Sequence, residues 1–204
     1  MSLVKAKAIV LYAPVVDTDI SVPLYPDKRY SEVLGCKNSK TKIEKYLVWR
    51  LLEFGVKNYT TFNFDNLQFT KNANGKWVCP DLYFSLSHAD GMVCVALSDT
   101  PIGVDAEPVR EIRRELGGRI MTDKELSLTK DMPKEDLSEY LLSLWVKKES
   151  IFKTGDVSAL MPRSIEAQEH PTSLRRVTLG TQEYLISVCH TRAHEIEFKY
   201  VEEI

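Results

Sequence analysis

Two short stretches carry residue types that could do chemistry. Asp105 and Glu107 stand two apart in Ile102-Gly-Val-Asp-Ala-Glu107, and Lys148, Glu149 and Lys153 follow in Leu144-Trp-Val-Lys-Lys-Glu-Ser-Ile-Phe-Lys153. The first stretch reads as a strand, with Ile102, Val104 and Ala106 on one face and Gly103, Asp105 and Glu107 on the other. Two carboxylates on one face repel, and a divalent cation relieves that repulsion. Mg²⁺ typically takes one or two carboxylates and completes its shell with water and substrate phosphate. Gly103 leaves room beside that face, as a strand glycine does where a ligand approaches. Taken alone, the pair reads as an exposed acidic strand end.

The second stretch breaks a packing rule. From about Glu135 to Thr154, Leu137, Leu141, Leu144, Trp145 and Phe152 recur at helical spacing and fill one broad arc. Glu149 falls inside the arc and Lys148 near its middle, where an ionised group calls for a partner or a metal. The bland alternative is a Glu149–Lys153 pair one turn apart on a half-wet surface.

The elements that must position these residues follow in order. Val4 to Tyr12 reads as a strand, and Ala13 to Pro26 as a loop. A basic region runs through Lys28, Arg29, Lys37, Lys40, Lys42 and Lys45. A helix starts near Lys40 and carries Ile43, Tyr46, Leu47, Leu51 and Phe54, with Gly55 as its expected stop. Asn58 to Phe69 is read as irregular with a strand, and Asn72 to Gly75 as a turn. Tyr83–Ser87 and Met92–Leu97 form a hairpin around Ala89-Asp-Gly91. A second turn at Asp99–Pro101 is expected to add the Asp105 strand to the same antiparallel meander. Arg110 to Met121 reads as a helix or helical turn weakened by Gly117-Gly118. Thr122-Asp-Lys-Glu125 is a capping box, and Gly155-Asp156 ends the long helix. Residues 157–172 form a loop that could cover the site. Leu174–Leu179, Glu183–Cys189 and Glu195–Val201 read as closing strands.

The 204 residues have 44% hydrophobic and 27% charged content and a net charge of −2. This is the balance of a soluble globular protein, with no overall signal for nucleic acid or membrane binding. No apolar run reaches the length of a membrane span, and Met1-Ser2-Leu3 is not read as a signal peptide. Cys36, Cys79, Cys94 and Cys189 lack zinc spacing. Cys94 and Cys189 are expected to be buried thiols, and the compartment the cytoplasm. His170, His190 and His194 are read as surface or structural.

Together, Ile-Gly-Val-Asp105-x-Glu107 and, with Trp145 forty positions after Asp105, Trp145-x-x-Lys148-Glu149-Ser-x-x-Lys153 resemble the Sfp-type 4′-phosphopantetheinyl transferases. Gly75-Lys76, Cys79-Pro80-Asp81 and Phe84-Ser-Leu-Ser-His88 resemble the segment that precedes the metal strand there. Trp77 stands where the family has a proline. The resemblance implies an α+β fold of two similar halves, residues 1–101 and 102–204. They pack about a pseudo-twofold as one compact unit, each with antiparallel strands and one long helix, and the active site lies between them. It implies transfer of the 4′-phosphopantetheine arm of coenzyme A to a serine of an apo acyl or peptidyl carrier protein, releasing 3′,5′-ADP. By the same resemblance Asp105, Glu107 and Glu149 hold Mg²⁺, and Glu149 takes the serine proton directly or through water. Lys153 stabilises the leaving phosphate. Lys76, Ser87, His88, Lys148 and Lys153, with Lys40 or Lys42 in place of the family's helix arginine, contact coenzyme A. Trp145 is read as packing, and the chain as a monomer. Two other classes use the same residues: a Mg²⁺-dependent phosphohydrolase with water as nucleophile, and a non-catalytic protein that binds carrier domains or coenzyme A.

Overall fold

The computed structural model describes residues 6–155, 161–191 and 194–204. The expectations for Met1–Leu3, for the first residues of the opening strand, for Asp156 and for 157–160 lie outside the described residues. The fold is α+β, and the chain divides into two units: residues 1–100 with 194–204, and residues 101–193.

The first unit is a four-stranded sheet under a long helix. Strand β1 (Ala6–Pro14) leads into a short helix α1 (Asp27–Leu34) and then α2 (Ser39–Tyr59). A two-residue hairpin, β2 (Thr70–Lys71) with β3 (Trp77–Val78), turns at Gly75, whose φ of +76° is the conformation the Asn-Gly signal calls for. β4 (Tyr83–Ala89) and β5 (Met92–Ser98) form the expected hairpin. The sheet order is β4-β5-β1-β9, with β9 (His194–Tyr200) lying parallel to β1. The C-terminal strand therefore returns to the first unit, and does not close the second as a division at 101/102 would have it.

Helix α2 starts as read: the Asn38 side chain accepts from the Thr41 N–H. It does not stop at Gly55. A methyl group there would meet the Leu11 and Leu97 side chains at 2.8 Å, so this glycine lets the helix approach the sheet. Trp49 lies at the centre of the core, edge-on to Phe69, Trp77 and Phe84. Trp77, standing where a proline was expected, is thus a core residue whose indole donates to Glu32 at 3.1 Å.

The second unit is a three-stranded antiparallel sheet, β6 (Ile102–Pro108), β8 (Gln182–His190) and β7 (Thr172–Leu179), in the order β6-β8-β7. Helix α5 (Lys134–Thr154) packs on β6 and β8 and ends at Gly155, φ +96°. Two short helices precede it, α3 (Gly117–Ile120) and α4 (Asp123–Ser127). The Thr122/Glu125 capping box is present in full. Residues 110–121 hold only a 3₁₀ turn and α3, less helix than expected.

The second hairpin of the expected meander does not form. β5 already has β4 on one edge and β1 on the other, so no edge remains for β6, which pairs with β8 instead. No helix among the described residues is long and apolar enough to cross a membrane.

Candidate active site

The acidic strand lies directly beneath the long helix. In register, Asp105 faces Ser187, Glu107 faces Leu185 and Gly103 faces Cys189 on β8. Directly opposed residues share a face, and Leu185 and Cys189 belong to the core that α5 covers. A Cβ on Gly103 would lie 2.0 Å from the Ser150 carbonyl oxygen and 2.7 Å from the Thr154 nitrogen. The room beside this face is therefore filled by the helix backbone, and not by a ligand as Gly103 first suggested. One step away, the Ser150 and Ser187 hydroxyls share a 2.8 Å hydrogen bond between helix and strand.

This close approach brings the charged residues of both stretches together. Lys153 Nζ donates to Asp105 Oδ1 at 2.7 Å, so the lysine's partner is the strand and not Glu149 one turn back. Trp145 Nε1 donates to Glu107 Oε1 at 3.1 Å, a polar role beyond the packing expected of it. A half-buried indole needs an acceptor, and that rule was the available signal. Asp105 is buried, Glu107 and Glu149 half-buried.

Electrostatically the three carboxylates act as a cluster. Burial pushes the Glu149 carboxyl up to about 7, with the charges of Asp105 and Glu107 adding and Lys153 opposing. Glu107 is also raised, by burial first and Asp105 second, against the Trp145 hydrogen bond. Among the described residues, no three acidic, histidine or cysteine side chains are gathered closely enough to hold a metal as they stand. Asp105 and Glu107 are turned to Lys153 and Trp145. By donor chemistry the set still suits a hard divalent cation: all-oxygen ligands, with a carboxyl raised by burial first and by its neighbours' charges second, which a cation would lower.

Lys148 falls elsewhere. Its side chain is 0% exposed, and Nζ donates to Glu125 Oε2 at 2.5 Å, Ile120 O at 2.7 Å and Pro162 O at 2.9 Å. An ammonium has three N–H groups, all used here, which leaves none for a coenzyme A phosphate. Sequence reasoning placed Lys148 correctly on a burying face but missed Glu125, already assigned to its cap.

The remaining candidates sit in the first unit. Lys40 and Glu44, one turn apart on α2, meet the β4–β5 hairpin: Lys40 pairs with Asp90, and His88 Nδ1 lies 3.1 Å from Glu44 Oε2. Burial raises the Glu44 carboxyl, with Asp90 adding to the effect and Lys40 opposing it. His88 is exposed at the end of β4, whereas Ser87 beside it is buried. Lys76 follows the β2–β3 turn, and its backbone N–H donates to Asn72 Oδ1. Lys42 is half-buried in the first turns of α2.

Residues 101–201 match the family model of the 4′-phosphopantetheinyl transferase superfamily. Curated relatives agree. The chain is 28% identical over 141 residues to the 4′-phosphopantetheinyl transferase Sfp of Bacillus subtilis (strain 168), a match covering 66% of this chain and 61% of that protein. It is 31% identical over 90 residues to the 4′-phosphopantetheinyl transferase gsp of Aneurinibacillus migulanus, covering 44% and 38%. It is 28% identical over 144 residues to the 4′-phosphopantetheinyl transferase ffp of Bacillus subtilis, covering 62% and 64%. The resemblance carried by the two motifs is thus shown, and the chain spans about three fifths of the length of Sfp, the first of these relatives.

Proposed function

We propose that the protein transfers the 4′-phosphopantetheine arm of coenzyme A to a serine hydroxyl of an apo acyl or peptidyl carrier protein, releasing 3′,5′-ADP. The observation that carries this reading is the juxtaposition of Asp105, Glu107, Glu149 and Lys153 between β6 and α5, in the unit that the superfamily model matches. Asp105, Glu107 and Glu149 would hold Mg²⁺, which when bound offsets charge on the pyrophosphate. Glu149 accepts the proton of the attacking serine, directly or through a water. Lys153 stabilises the phosphate oxygen that carries the leaving charge. His88, Lys76 and Lys40 or Lys42 bind the coenzyme's phosphates, with Ser87 as a further donor to them.

Each unit also carries one long helix on a sheet, mixed in the first unit, where β9 runs parallel to β1, and antiparallel in the second; the shared helix-on-sheet plan supports reading them as two similar halves. All four cysteines are free thiols, in keeping with a cytoplasmic protein. The test is intact mass of apo carriers after incubation with coenzyme A and Mg²⁺. A gain of one phosphopantetheine supports the reading. Release of 3′,5′-ADP without any carrier would replace it with a phosphohydrolase, and binding without turnover would leave a non-catalytic protein.

A further inference from the structure

Among the described residues, Lys148 and Glu125 form the most deeply buried ion pair in the second unit, with side chains 0% and 1% exposed. Neither touches Asp105, Glu107 or Glu149 in any described hydrogen bond, yet Lys148 adjoins Glu149 in the chain. The Lys148 acceptors come from both sides of α5 in sequence: Ile120 and Glu125 before it, Pro162 after it. Glu125 is itself held from two sides, accepting from Thr122 N–H at 2.9 Å and from Ala167 N–H at 3.4 Å. One buried ammonium therefore joins α3, α4, α5 and the segment that follows.

Apolar contacts are nondirectional and leave a helix free to rotate by small angles over its sheet, whereas three hydrogen bonds to one ammonium fix an angle. A buried ion pair is a poor way to add stability, because apolar residues of similar volume do as well or better. What such a pair supplies is a single arrangement. We infer that Lys148 and Glu125 are positioning residues: their bond sets the rotation of α5 about its axis and so fixes where Glu149, Lys153 and Trp145 meet Asp105 and Glu107. The inference rests on reading those residues as the functional set. Its first test does not require that they be catalytic.

The variant is Lys148→Met with Glu125→Gln, which removes both charges together and keeps an oxygen to accept from Thr122. The protein has three tryptophans. The indole N–H resonance of Trp145, assigned by its loss in Trp145→Phe, reports the bond to Glu107. In the metal-free double variant that resonance should shift or broaden, while those of Trp49 and Trp77 stay in place. Transfer should fall about tenfold or more in kcat with little change in the KM for coenzyme A, and the Mg²⁺ concentration for half activity should rise. If the double variant does not fold, Glu125→Gln alone, which leaves Lys148 its two carbonyl acceptors, is read by the same resonances and rates. An unmoved Trp145 resonance with wild-type kcat and Mg²⁺ requirement in a folded variant would overturn the inference. If the wild-type protein transfers nothing, the proposed function fails, and the Trp145 resonance alone then decides whether the pair positions the helix.

Discussion

Each unit lays a 21-residue helix on a sheet, mixed in the first and antiparallel in the second, and each uses a glycine to bring the two close. In the first unit the glycine is on the helix: Gly55 faces the ends of Leu11 and Leu97, flexible side chains that can give way. In the second it is on the strand: Gly103 faces the helix backbone itself. The buried cations differ in the same sense. Arg29 lies over the Trp49 ring, 4.9 Å to its centroid, and donates to the Lys45 carbonyl at 2.7 Å, closing the end of an aromatic core. Lys148 instead ties α5 to three other segments. The first unit's close approach is thus met by side chains and its buried cation by an aromatic ring, while the second unit's is met by helix backbone and its buried cation by three oxygen acceptors.

The sharpest test of that contrast is a pair of glycine substitutions. Gly103→Ala should cost more than ~3 kcal/mol, because backbone must move to admit the methyl group. Gly55→Ala should cost ~1–2 kcal/mol, because two leucine side chains can turn aside. Urea unfolding of both variants measures this, and equal losses would erase the distinction.

Next in size is Asp105→Ala. Removing a charge that Lys153 and the cluster both depend on should lower kcat/KM for transfer by roughly a hundredfold or more, about 3 kcal/mol, without unfolding the protein. Circular dichroism together with carrier mass gain checks both halves of that statement. Transfer near the wild-type rate would move the chemistry away from this unit.

Glu149→Gln probes the cost of burying a carboxylate beside two others. The folded carboxyl titrates near 7, above its ordinary value of 4.5. Below 4.5 both folded and unfolded chains hold the proton, and the group contributes nothing. As pH rises from 4.5 to 7 the unfolded chain ionises first, so the wild type loses stability relative to the variant. In metal-free protein Glu149→Gln should therefore melt like wild type near pH 4 and be more stable at pH 8, by about 1–3 kcal/mol after allowance for partial exposure. Transfer should be lost in the same variant. A variant that is destabilised at pH 8 and fully active would mark Glu149 as half of a structural ion pair.

The smallest effect is expected in the first unit. His88→Ala should weaken coenzyme A binding roughly tenfold, by removing one charge-assisted contact to phosphate, and should change kcat little. Calorimetric titration with coenzyme A and dephospho-coenzyme A measures it. Unchanged affinity for both ligands would exclude a phosphate contact at His88.

Much of this was legible from residue order, because periodicity and capping are local. Helix α5, the alternation that puts Asp105 and Glu107 on one face of β6, the Thr122/Glu125 capping box, the β4–β5 hairpin and the strandedness of β7, β8 and β9 depend only on neighbours within a few positions. Helix α1 was equally local and was missed: its residues after Pro26 were read only as the start of a basic region.

The motifs in the sequence by themselves determined the family resemblance and named the four charged residues of the candidate site on β6 and α5. Only the tertiary structure decided who meets whom. Lys153 pairs with Asp105 forty-eight positions away, and Lys148 with Glu125 twenty-three away. β6 leaves its neighbour in sequence for β8, and β9 returns to β1 from the far end of the chain. A strand offers two edges, an ammonium three protons and a glycine one open face. Which partner takes each depends on what else the fold has already placed there, and no local pattern records it.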